Sequence, residues 1–218
     1  MVMMTYKIPD SIKQIAMQGE FDEFDLNVFF SAEGKNDKAK FKYEDYVQKW
    51  LDLICGAYLG TTTDDLKLGA KKPDMPYSNT RLRSILSHTF WFLPNVASCF
   101  AMKNLLMRRH NTFFHEYKIN VCAGSGAGIG VDALGPVEKS MGDPLKTKTI
   151  TLTCGKLTTG VMVKPWMGIF MLRNLSSPET YFQAAFRVQS PWEVDISPDK
   201  KEIIKKSVTS LILRLTVR

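Results

Sequence analysis

The residues best suited to chemistry fall between Thr149 and Trp192. That stretch reads T-I-T-L-T-C-G-K-L-T-T-G-V-M-V-K-P-W, then M-G-I-F-M-L-R-N-L, then S-S-P-E-T-Y-F-Q-A-A-F-R-V-Q-S-P-W. A β-branched run ends in a turn rich in Thr, Gly and Lys, and a second strand follows. Ser177, Pro178 and Glu179 then open a helix: a Ser cap, Pro in the first turn, and Glu beside the positive end of the helix dipole. Gln183 and Arg187 stand four apart on one face of that helix. An amide and a guanidinium so placed suit a polyphosphate, because the guanidinium matches phosphate with two parallel bonds and stays charged. The same spacing also fits a surface helix with an incidental arginine.

Other clusters carry less. Gly124 to Gly130 reads G-S-G-A-G-I-G, and a glycine-rich turn after a strand can cradle phosphate on its amides. It matches neither G-x-G-x-x-G nor a turn ending in Gly-Lys-Ser/Thr, so it reads more simply as a loop. Asp22 to Asp25 spells D-E-F-D, but no buried strand precedes it, which favours an acidic exposed turn. His88, His110 and His115 have no metal-ligand spacing, and His88 is expected to pack at a strand start. Cys55, Cys99, Cys122 and Cys154 form no C-x-x-C pair, so neither a zinc site nor a disulfide scaffold is expected.

The elements that must position these residues have two textures. In residues 1–80, Tyr43 to Leu59 repeats apolar residues at helical steps, and Glu33 to Lys42 is a polar loop. Lys67 to Asn79 reads as a linker, with Gly69, Pro73 and Pro76. From residue 80 onward strands and helices alternate. Strands are expected at His88 to Leu93, Tyr117 to Cys122, Thr147 to Thr153 and Gly168 to Leu172. Asn95 caps a helix through Leu106, and a weaker helix spans Ile129 to Met141, interrupted at Gly135-Pro136. Lys200 to Lys206 looks like a basic helical stretch. This alternation predicts an α/β fold, a parallel sheet flanked by helices, with a mainly helical N-terminal appendage.

With 218 residues and 44% apolar content, the chain can build one core domain plus an appendage and is not disordered. Its net charge of +7 allows an anionic partner without requiring one. The most apolar stretch, Phe90 to Met102, is broken by Pro94, Asn95 and Ser98, and the first residues lack the pattern of an export signal. The expected setting is therefore the cytoplasm, without a membrane span.

Taken together, N-L-S-S-P-E-T-Y-F-Q-A-A-F-R-V-Q resembles the sixth motif of superfamily-two helicases, usually Q-x-x-G-R-x-x-R. T-T-G-V-M-V-K-P resembles their fifth motif, and His88 to Asn95 their fourth. The resemblance covers about residues 85–192 and is strongest to helicase subunits of restriction-type and phage-associated DNA systems. It implies a second RecA-like domain over residues 81–192, a joining segment over 1–80 and a basic tail over 193–218. It also implies that Gln183 and Arg187 face nucleotide phosphates, Arg187 as the catalytic arginine finger. Gly160 would give the fifth motif its close backbone approach to the nucleotide. Thr153, Lys156, Thr158 and Thr159 would lie along the DNA backbone.

Three departures accompany the resemblance. Ser190 stands where the last arginine of the sixth motif belongs, and Met162 where a polar residue is common. The sequence contains no G-x-x-x-x-G-K-[ST], so ATP and its Mg would be shared with a first RecA-like domain, in trans or on a longer parent chain. No metal ligands and no autonomous ATPase are expected of this polypeptide. Two alternatives stay open: a non-catalytic remnant binding nucleic acid or a partner, and an unrelated α/β enzyme using the Gly124–Gly130 turn for phosphate.

Overall fold

The computed structural model describes residues 2–5, 25–56, 75–124, 134–155, 157, 162–197, 200–205 and 209–212. Among these, the strands β1 (Val2–Thr5), β4 (His88–Phe92), β5 (Lys118–Cys122), β6 (Thr149–Thr153), β7 (Gly168–Met171) and β10 (Thr209–Ile212) form one sheet in the order β1-β10-β7-β4-β6-β5. Every pairing in it is parallel. β2 (Ala32–Glu33) pairs antiparallel with β3 (Lys40–Phe41), and β8 (Glu193–Ser197) with β9 (Lys200–Ile203).

The helices are α1 (Leu26–Phe29), α2 (Glu44–Ile54), α3 (Thr80–Ile85), α4 (Val96–Leu106), α5 (Gly135–Met141) and α6 (Pro178–Phe186). The sheet is covered on both faces, as a parallel sheet must be. β4 shows how. Trp91 points into a core shared with Trp50 and Leu51 of α2 and Met102 and Leu105 of α4. Phe90 and Phe92 point the other way, to Val137 of α5, Ala184 of α6 and Trp166. All five residues of β4, and all five of β6, are buried. The α/β architecture read from the alternation of elements is the one present, and its parallel sheet with flanking helices is consistent with a RecA-like domain.

Local chemistry explains several boundaries. The Asn95 side chain accepts from the Ser98 amide at 2.9 Å and starts α4. Ser177 accepts from the Thr180 amide at 3.4 Å with Pro178 following, as the S-S-P-E signal predicts. Gly135-Pro136, expected to interrupt a helix, instead begins one: Pro lacks the amide that a first turn leaves unpaired anyway. His88 does pack at a strand start, its Nδ1 2.9 Å from Thr149 Oγ1 and its Nε2 2.8 Å from the Pro144 carbonyl.

Residues 25–56 and 75–85 pack directly on the sheet. Trp50 meets Trp91 edge to face at 5.8 Å, and Phe30 meets Trp50 at 5.2 Å. Tyr77, inside the expected linker, stacks on Phe170 of β7 at 5.7 Å. The buried Ser98 hydroxyl donates to the Phe30 carbonyl at 2.6 Å, tying α4 to α1.

The C-terminal expectation is corrected. Lys200–Ile203 is a strand, not a helix, because Lys-Lys-Glu-Ile closes a hairpin on Glu193–Ser197. β10 continues the sheet where no continuation was anticipated, between β1 and β7. Lys205, buried, then donates from Nζ to the Lys164 and Ser190 carbonyls at 2.9 and 2.8 Å. No helix among the described residues is long and apolar enough to cross a membrane.

Candidate functional site

In open parallel sheets, ligands collect beyond the carboxyl ends of the strands, where loops leave for the helices. Here a cavity of about 660 Å³ opens at the ends of β4, β6 and β7 and against the first turn of α6. Phe92, Cys154 and Arg173 line its sheet side; Asn174, Ser177 and Thr180 line the loop and helix side. Among the described residues, Arg173 is the only charged one in the lining.

Each wall has a local cause. β7 ends at Met171, and the chain turns through Leu172, Arg173 and Asn174 to the Ser177 cap. Asn174 is pinned by α1: its amide nitrogen donates to Asn27 Oδ1 at 3.2 Å, and its Nδ2 donates to Asp25 Oδ1 at 3.1 Å. Asp25 is itself the cap of α1, accepting from the Asn27 amide at 2.7 Å. At the end of β6, Gly155 has φ +152°, a conformation side chains rarely adopt, with open space where a Cβ would stand.

Arg173 bridges the walls. Its Nη1 donates to the Cys154 carbonyl at 3.2 Å, and its guanidinium carbon lies 5.1 Å from the Phe92 ring centroid. Its Nε is buried and has no hydrogen-bond partner among the described residues. The Cys99 and Cys122 thiols, neither of them in the lining, stay neutral. A hydrogen bond with Cys154, then burial, pushes the Cys99 thiol up, and burial raises Cys122 to about 11. These thiols are therefore not prepared as nucleophiles.

The residues anticipated from sequence divide. Arg187 caps the C-terminus of α6 and is half-buried; Gln183, also half-buried, donates from Nε2 to Glu179 Oε1 at 2.9 Å. Both lie beyond the first turn of α6, outside the cavity lining. Thr153 ends β6 fully buried, its hydroxyl donating to the Cys122 carbonyl at 2.9 Å. Lys156, Thr158, Thr159 and Gly160 lie outside the described residues, as do Asp22, Glu23 and most of the Gly124–Gly130 turn. Met162 is 64% exposed. Arg173 was missed by the sequence reading. The signal available for it was its place, immediately after a buried strand and just before a helix cap. Among the described residues, no group of three or more His, Cys, Asp or Glu could hold a metal ion.

No family model matches the chain. Over 164 residues, 74% of its length, it is 30% identical to a Mycoplasma pneumoniae protein named "Putative type II restriction enzyme and methyltransferase RM.MpnORF110P C-terminus". The match takes in 21% of that protein, so the chain spans about a fifth of the length of the curated relative it matches.

Proposed function

We propose that this chain is the second RecA-like domain of an ATP-dependent DNA helicase or translocase belonging to a restriction-modification system. One observation carries the reading: α6, capped by Ser177 and Pro178, follows β7 at the carboxyl edge of a parallel sheet and leaves Gln183 and Arg187 partly accessible. The stretch resembling the sixth helicase motif thus follows the end of β7. Similarity to a protein named for restriction and methylation adds support for the system, though not for the activity.

In this reading ATP supplies the phosphoryl group and Mg its charge neutralisation, both held mainly by a first RecA-like domain. Gln183 would orient a phosphate oxygen, and Arg187 would stabilise charge developing on the transferred phosphoryl group. The half-exposed guanidinium fits such a role, since a sealed one could not reach a ligand across a domain cleft. DNA would run along the ends of the strands, held through its backbone rather than read by its bases.

The test is to combine the chain with the polypeptide encoded immediately upstream and measure ATP hydrolysis with and without DNA. The reading expects DNA-stimulated turnover from the pair. A second reading, a nucleic-acid-binding module without turnover, draws on Ser190, which replaces one of the two usual cationic groups of the sixth motif. Salt-sensitive DNA binding with no turnover from the pair would favour it.

A further inference from the structure

We propose that the cavity at the ends of β4, β6 and β7 is a phosphate seat, with Arg173 as its cationic anchor. The inference deepens the proposed function by assigning the strand-end side of the site. It rests on that reading only for the source of the phosphate, a phosphodiester of DNA or the phosphate of a nucleotide.

Among the described residues, the Arg173 charge has no counterion. Burying a guanidinium costs several kcal/mol unless an anion or a full set of acceptors compensates. Arg173 is half-buried, and among the described residues it forms no ion pair. Its compensation is one carbonyl, Cys154, and the face of one ring, Phe92. These contacts fix the side chain across the cavity wall while leaving its charge uncancelled.

The surroundings select for an anion. Among the described residues, the lining contains no carboxylate. Asp25, close behind it, has an oxygen already taken up by Asn27 and Asn174. Glu179, in the first turn of α6, lies outside the lining and accepts from Gln183. The first turn of the nine-residue α6 faces the cavity through Ser177 and Thr180, adding the positive end of a helix dipole. The Ser177 and Thr180 hydroxyls stand on that side of the lining. A guanidinium, a helix start and hydroxyls around a roomy opening match a tetrahedral oxyanion better than a neutral ligand. Gly155, also in the lining, has open space where a Cβ would stand.

The test uses the full chain and three probes: inorganic phosphate, a short oligothymidylate, and ADP. Two variants separate the anchor from the fold. Arg173→Met keeps the stem and removes the charge. Thr180→Glu places a carboxylate in the lining while completing a Ser-x-x-Glu capping box, so it should hold or raise the melting temperature as it repels the anion. The expected result is phosphate-ester binding by the native chain that falls about tenfold or more in both variants, the range for losing a charged hydrogen bond. Phosphate binding lost in both variants, with neither oligothymidylate nor ADP bound, would keep the seat as a free-oxyanion site, and the proposed function would then stand or fall on turnover of the pair alone. Oligothymidylate bound equally by native chain and variants would keep the function and overturn the seat. Absence of binding by the native chain to any probe also overturns the seat.

Discussion

The guanidinium of Arg173 lies over the ring of Phe92, 5.1 Å from its centroid, at the point where two neighbouring strands of a parallel sheet end. Phe92 is 1% exposed and belongs to the core beneath α5 and α6. The contact therefore couples the packing of one sheet face to the charge that lines the strand-end cavity.

That coupling is measurable. Phe92→Leu should cost about 1–2 kcal/mol of folding stability, from lost area and imperfect refilling. A double-mutant cycle with Arg173→Met should show an interaction of about 0.5–1 kcal/mol between the two sites, read from denaturant midpoints. Strictly additive costs would mean that the ring and the guanidinium do not hold each other.

Trp50 offers a test of how the chain is divided. It stands on α2, inside the segment expected to join domains, yet it packs edge to face on Trp91 of β4. Trp50→Ala should cost about 3–5 kcal/mol, as for other large-to-small core changes. Urea unfolding followed by tryptophan fluorescence and by circular dichroism should give one coincident transition. Two separated transitions would show that residues 25–56 unfold independently of the sheet.

His88 sets a pH dependence. Burial holds its pKa below the ordinary 6.5, partly opposed by the Pro144 carbonyl. Donation to that carbonyl puts the proton on Nε2, leaving Nδ1 to accept from Thr149. As pH falls below 6.5, the unfolded chain takes up a proton that the folded chain resists. The stability this group contributes is therefore present above 6.5 and is lost as pH drops toward the depressed folded value. The slope is at most about 1.4 kcal/mol per pH unit. His88→Gln should lose stability overall and flatten the curve below pH 6.5. Parallel curves for the two proteins would contradict this account.

Much of this architecture is legible in the sequence where its causes are local. Asn95 and Ser177 each cap the helix that follows within three residues, and His88 to Phe92 is a continuous apolar and aromatic run that only a central strand would bury. What escapes sequence reading depends on distant partners. β10 is four residues long, and its neighbours in the sheet come from residues 2–5 and 168–171. Nothing beside it in the chain announces that pairing. Lys200–Ile203 looked helical because its lysines dominate, and the hairpin partner that makes it a strand lies before it, at Glu193–Ser197. The site shows the same division. Gln183 and Arg187 are visible as a helical pair, whereas Arg173 gains meaning only when Phe92 and Cys154 arrive from other strands.

The most direct test of the central claim is the DNA-stimulated ATPase of the chain joined with a first RecA-like domain, comparing native protein with Arg187→Ala. If Arg187 completes the phosphate site across a domain cleft, the variant should fold normally, still bind DNA, and lose about a thousandfold in turnover. Turnover that persists unchanged without this guanidinium would contradict the account.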